Sequence, residues 1–276
     1  MKYFLVYSWL FLSFIICAQE KESTAAPNVY VLDQLFEMPS FDRQRGIRLY
    51  LPPSYDSGTY RYPVIYMHDG QNLFDVVTSY ADEWGVDEIL NEIAEEGGPE
   101  FIVVGIDNGG DKRTEELTPF KNYRGEGGQG KLYMEFIVEV IKPYIDTHYR
   151  TLKDVDNTAI IGSSLGGLIS HYAIYQYPEI FGKAGIYSPS YWFSFDEIRE
   201  LTINQPIPSN YRIDLLVGKQ EGAVMYEPMK RLVEAIEETG HSKDHIRSKI
   251  DDLGKHNEKF WNREFKDTIL WLFDKN

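Results

Sequence analysis

Residues 159–167 read Ala159-Ile160-Ile161-Gly162-Ser163-Ser164-Leu165-Gly166-Gly167. The apolar run from Thr158 has the length and composition of a buried strand, and Leu165 to Tyr177 continues with helical character. A Gly-x-Ser-x-Gly pattern therefore falls where a strand turns into a helix, the setting a serine nucleophile needs. Such a turn is tight. Side chains two positions either side of Ser164 would clash, and Gly162 and Gly166 remove them. The turn also lifts the hydroxyl above the sheet edge and aims the Leu165 amide and the helix N-terminus at a developing oxyanion. By composition alone the pattern would arise in about one chain in ten of this length, so its position at the junction carries the weight.

Outward from this turn, strand-like and helix-like segments alternate. Gly46–Leu51 alternates and closes on Pro52-Pro53, as an edge or early strand does. Residues 63–67 and 101–105 are short apolar runs expected as buried strands, and Lys183–Tyr187, Ile213–Val217 and Ile246–Ile250 continue the series. Helical spacing appears over Trp84–Ile93, Leu132–Ile145, Met229–Ile236 and Glu258–Phe273. This alternation predicts one α/β domain over residues 28–276, a mostly parallel sheet with helices on both faces. Asn108–Gly130 holds six glycines and many charges and is expected as a long surface loop.

A serine hydroxyl needs an adjacent base. His256 stands after the last expected strand and before the final helix, with His68 as its main rival. In α/β-hydrolases the order is serine, acid, histidine, and 92 residues between Ser164 and His256 leave room for the intervening strands. His148 and His171 lie in helical stretches and are expected to be structural, and His241 and His245 to be surface residues near a helix end. The acid belongs after the penultimate strand, where Glu221 stands, with Glu227 and Asp252 as alternatives. Leu165 supplies one oxyanion amide, and Gly70 or Gln71, in the turn after an early central strand, the other. Trp192 and Tyr191, at the end of a strand, and His68 and Asp69, beside the oxyanion turn, are the candidate substrate-binding residues. Tyr123 and Arg124 on the glycine-rich loop are further candidates. No His-Glu-x-x-His pair, Cys–His cluster or Gly-rich loop with lysine occurs, so neither metal nor cofactor is expected.

The net charge of −15 opposes binding to nucleic acid and to anionic lipid. Lys2, the apolar run Tyr3–Cys17 and the small Ala18 resemble a cleaved secretory signal over residues 1–18, too short for the ~20 residues of a bilayer span. Residues 19–27 are expected as a flexible leader. The single cysteine, Cys17, is preceded by Ile16 rather than a small residue, which disfavours lipoprotein anchoring. A mature chain without cysteine has neither disulfides nor thiol catalysis, and a secreted or periplasmic location is expected.

Several further segments fit one family. They are Tyr50–Tyr55, Pro63–Asp75 with its Met-His-Asp-Gly-Gln-Asn core, Trp84–Asp87, Val104–Asn108, the Ser164 turn, Ser188-Pro-Ser-Tyr-Trp192 and Gly254-Lys-His-Asn-Glu-Lys-Phe-Trp261. Together they resemble the α/β-hydrolase esterase family that includes enterochelin esterases, feruloyl and acetyl-xylan esterases of carbohydrate esterase family 1, S-formylglutathione hydrolases and mycolyltransferases. The resemblance implies an esterase with Ser164 and His256 as catalytic residues; the acid varies in that family. The expected substrate is an acetyl or feruloyl ester on a carbohydrate. A siderophore ester is the alternative, and a catalytically silent binding module is the alternative of another class.

Overall fold

The computed structural model describes residues 21–274. The expected signal segment 1–18 lies outside the described residues.

The strands are β1 (Val29–Val31), β2 (Phe36–Met38), β3 (Arg43–Arg45), β4 (Ile47–Tyr50), β5 (Val64–His68), β6 (Ile102–Ile106), β7 (Thr158–Ser163), β8 (Lys183–Tyr187), β9 (Arg212–Gly218) and β10 (Ile246–Asp251). Eight of them form one sheet in the order β1-β4-β6-β5-β7-β8-β9-β10, and β2 and β3 form a separate antiparallel pair. From β6 to β10 every neighbouring pair is parallel, while β1 and β4 close the other edge antiparallel. This is the mostly parallel α/β-hydrolase sheet.

The helices are α1 (Val86–Glu95), α2 (Arg113–Glu116), α3 (Gly130–Phe136), α4 (Lys142–His148), α5 (Leu165–Gln176), α6 (Phe195–Asn204), α7 (Ala223–Glu238) and α8 (Glu258–Leu272). A π-helical turn, Ile137–Ile141, joins α3 to α4. The central strands are buried on both faces, so their apolar runs are continuous rather than alternating. Successive residues serve opposite cores. Tyr66 and Ile160 pack with Leu168, Phe136 and Leu232 under the α3–α7 side. Ile65 and Ile161 pack with Leu90, Trp261 and Phe265 under α1 and α8. Helix α5 is buried from Leu165 through Tyr175, as expected of a helix that is apolar all round.

Three expectations need correction. Residues 108–130 are not an open loop throughout. Leu117 and Thr118 are buried, Glu116 is ion-paired to Arg43 (2.8 Å) and to Arg45, and Gly130 already begins α3. The described part of the leader is tethered: Ser23 Oγ donates to Asp75 (2.8 Å) and the Ala26 amide to Asp87 (2.7 Å). His241 is buried rather than at the surface, and its Nε2 donates to the Tyr211 carbonyl (2.9 Å).

Candidate active site

β7 delivers Ser164 to the carboxyl edge of the sheet. Ser164 has φ 59° and ψ −121°, a strained conformation for a non-glycine residue. The turn that imposes it leaves no room at Gly162, where a Cβ would sit 2.7 Å from the Gly166 backbone. At Gly167 a Cβ would lie 2.8 Å from the Tyr187 carbonyl oxygen. The bend is braced from β8: the Ser164 amide donates to the Tyr187 carbonyl (2.9 Å) and the Ser190 amide to the Ser164 carbonyl (3.0 Å). The Ser164 hydroxyl itself lies 3.2 Å from the Ser190 hydroxyl.

Two loops bring the other groups in. The turn after β9 and the turn after β10 touch, because a Cβ at Gly218 would meet the Gly254 carbonyl oxygen at 2.3 Å and the Gln220 amide donates to that carbonyl (3.2 Å). Asn257 caps α8 by accepting from the Phe260 amide (3.1 Å), which fixes His256 immediately before the helix. The result is a hydrogen bond of 2.6 Å between His256 Nδ1 and Glu221 Oε2. The histidine ring is part-exposed and packs edge-on to Trp261 at 5.2 Å, while the Glu221 carboxylate is buried. Glu221 Oε1 accepts from the Gly218 amide and from the Ser188 hydroxyl, both at 2.7 Å. Of the two other carboxylates, Glu227 pairs with Lys230 (3.2 Å) and Asp252 with Lys219 (2.7 Å) on the surface. Neither bonds to His256.

β5 neighbours β7, so the turn after β5 abuts the elbow. Asp69 adopts φ 57° and leads into a short 3-10 turn, Gly70–Asn72. Gly70 is obligatory there, since a Cβ would sit 2.7 Å from the Asp107 carboxylate and 2.8 Å from Gly105. Gln71 is anchored through its side chain, which accepts from the Asn108 amide at 3.0 Å. The first amides of a helical turn have no acceptor within that turn, which holds for Leu165 at the start of α5 as for Gly70 and Gln71.

The structure places several expected substrate contacts elsewhere. His68 is buried beneath the elbow, where its ring lies 2.9 Å from a Cβ built at Gly162, and its Nδ1 is 2.8 Å from the Tyr133 hydroxyl. Burial pushes its imidazole down to about 4, so it is neutral there. Asp69 is spent on support. It accepts two bonds from Arg113 (2.6 and 2.8 Å) and one from Asn108 (2.7 Å). Burial would raise its carboxyl, but the guanidinium beside it holds the pKa below the usual range. Tyr191 is fully buried, its hydroxyl 2.6 Å from His171 Nδ1 inside the core. All three are therefore interior groups, because a turn residue's sequence does not say which way it points. Trp192, the next residue, is 53% exposed and stands two positions after Ser190. Tyr123 and Arg124 form the exposed tip of their loop and bond to each other (2.8 Å). Sequence reasoning passed over Ser188, Ser190 and Trp261 as individual residues, although the segments holding them were visible. Among the described residues no group of three His, Cys, Asp or Glu side chains is arranged to hold a metal ion. No helix among them is long and apolar enough to cross a membrane.

Comparison with known proteins gives one family. The family described as "Putative esterase" matches residues 38–272. The uncharacterized protein YbbA of Bacillus subtilis (strain 168) is 28% identical over 245 residues, 84% of this chain and 94% of its own. Among solved structures, a ferulic acid esterase superposes with TM-score 0.70 at 16% identity, covering 89% of this chain and 98% of its own. The enterochelin esterase of Shigella flexneri superposes with TM-score 0.71 at 19% identity, covering 91% of this chain and 60% of its own. At such identities the structural likeness speaks for the fold.

Proposed function

The chain belongs to this esterase family, and from that premise we propose that it is a serine carboxylic ester hydrolase working through an acyl-enzyme. The observation that carries the reading is the His256–Glu221 bond of 2.6 Å, formed at the sheet edge where the elbow presents Ser164. With Nδ1 donating to Glu221, the Nε2 lone pair of His256 is left to accept the Ser164 proton. The hydroxyl turns from Ser190 to the imidazole, and Oγ attacks the ester carbonyl. The oxyanion is held by the Leu165 amide and by that of Gln71 or Gly70. The imidazolium then protonates the departing alkoxide, and an acyl-Ser164 ester remains. Water gives its proton to the same histidine, attacks the acyl carbon and releases the acid, and the proton returns to Ser164. Glu221 keeps the imidazole oriented and stabilises its charged form.

For the substrate we favour an acetyl or feruloyl ester on a carbohydrate. Trp192 offers an exposed indole beside the nucleophile's segment, a face on which a sugar ring or an aromatic acyl group stacks. Export, expected from residues 1–18, fits a polymer-bound ester. The siderophore reading has the enterochelin esterase fold in its favour and the charge of −15 against binding an anionic ferric complex. The first test is hydrolysis of a short p-nitrophenyl ester by the wild type and by Ser164→Ala. A drop of about 10⁴-fold or more supports the reading. Equal background rates in both favour a binding module with the fold alone. Acetyl-xylan, methyl ferulate and enterobactin then rank the substrate classes.

A further inference from the structure

The segment Ser188-Pro189-Ser190 holds a strained residue that the mechanism above does not use. Ser188 is fully buried and has φ 42°, in the left-handed region that a non-glycine residue rarely occupies. Its amide donates to the Leu216 carbonyl at 2.6 Å, which ties this conformation to β9. Its hydroxyl has two partners. Trp261 Nε1 is 2.9 Å away, and Glu221 Oε1 is 2.7 Å away. An indole N–H can only donate and a hydroxyl has one proton, so Ser188 Oγ accepts from Trp261 and gives its proton to Glu221. The direction of the chain is thereby fixed: Trp261 to Ser188, and Ser188 to Glu221. With the Gly218 amide on the same oxygen, Oε1 is engaged twice and Oε2 is left to His256.

We propose that Ser188 is a positioning residue that acts through Glu221. Its strained backbone aims the hydroxyl at the carboxylate, and Trp261 fixes the hydroxyl's orientation. Trp261 also packs against the His256 ring, so one indole contacts both Ser188 and His256. The inference rests on the reading of Glu221 as the orienting acid. Packing alone does not account for the arrangement, because a glycine at Ser188 would relax the backbone. The strain is retained at a position whose side chain donates to the buried carboxylate, on the oxygen that His256 does not use.

The test is a double-mutant cycle on a p-nitrophenyl ester, with Ser188→Gly and Glu221→Ala made singly and together. Ser188→Gly relieves the left-handed strain, so its melting temperature should equal or exceed that of the wild type. Its kcat should nevertheless fall about tenfold, with KM within about twofold. In the Glu221→Ala background the same change should leave the residual kcat within about twofold. Trp261→Phe keeps a ring beside His256, removes the donor to Ser188, and should show a smaller loss that also vanishes in the Glu221→Ala background. The inference is overturned by an unchanged kcat in Ser188→Gly, by equal losses in both backgrounds, or by a rise in KM at constant kcat. If Glu221→Ala itself retains wild-type kcat, the assignment of the acid fails and this inference falls with it. If only Ser188→Gly is silent, the triad stands and the positioning role alone is lost.

Discussion

At the residue scale, the sharpest consequence concerns Glu221. Its Oε2 takes the His256 Nδ1 bond while two donors occupy Oε1, so a glutamine at this position cannot satisfy both sides at once. An amide nitrogen facing Nδ1 forces the other histidine tautomer, which puts a proton on Nε2 where a base is needed. Glu221→Gln is therefore expected to lower kcat by about 10⁴-fold with little change in fold. Steady-state kinetics beside a far-ultraviolet dichroism melt check this, and a loss under tenfold with an intact fold removes Glu221 from the mechanism. The strand-to-helix turn at Ser164 and the meeting of the Glu221 and His256 loops were legible in the sequence because glycine spacing and the order of strands restrict where such groups can stand. Tyr191 was not separable from Trp192 in the same way. The 3-10 turn Tyr191–Phe193 sends the first ring onto His171 and leaves the second exposed, a choice made by packing around α5.

At the element scale, the first turn of α1 and the leader depend on one carboxyl. Asp87 is fully buried, accepts the Ala26 amide at 2.7 Å and keeps its second oxygen unpartnered. Burial drives its pKa up to about 8, with the Glu88 carboxylate adding to the rise. The sign follows from linkage. Between pH 4 and pH 8 the folded chain holds a proton that the unfolded chain has released, so this group's contribution becomes less favourable as pH rises. Asp87→Asn keeps the acceptor for Ala26 and removes the titration. The melting-temperature gain of the variant over the wild type should therefore grow from pH 5 to pH 8. A gain that shrinks with pH, or a loss at every pH, contradicts the buried neutral carboxyl. Most elements were readable from periodicity, but α6 was missed. Its segment offers Phe195, Ile198 and Leu201 at helical spacing after Ser194, yet it follows directly on the aromatic Ser188–Phe193 stretch, which drew a pocket reading instead. The three short strands β1 to β3 carry too few residues for an alternation to show. The interior order of 108–130 comes from long-range pairs such as Arg43–Glu116, which no local pattern encodes.

At the scale of the whole molecule, the sheet gathers the ends of β5, β7, β8, β9 and β10 along one edge, and the sequence predicted that gathering from strand–helix alternation alone. Its electrostatic surroundings were readable only as a total. The structure shows where part of the negative charge lies. A cavity of about 330 Å³ is lined by Asp82, Glu83, Gly85, Glu88, Lys259 and Asn262, so three carboxylates face a single lysine. Lys259 and Asn262 belong to the opening turns of α8, the helix that follows His256 and the Asn257 cap. An incoming anion thus meets the overall charge of −15 and, beside the opening turns of α8, this acidic wall. The Debye length shrinks from about 30 Å at 0.01 M salt to about 8 Å at 0.15 M, so added salt should screen this repulsion. For a p-nitrophenyl ester whose acyl chain ends in a carboxylate, kcat/KM should rise several-fold over that range. The uncharged ester of equal length should change little, which separates screening from any general effect of salt on the fold. If both esters respond alike, or the anionic one slows, charge does not govern access to this site, and the electrostatic argument against anionic siderophore esters loses its basis.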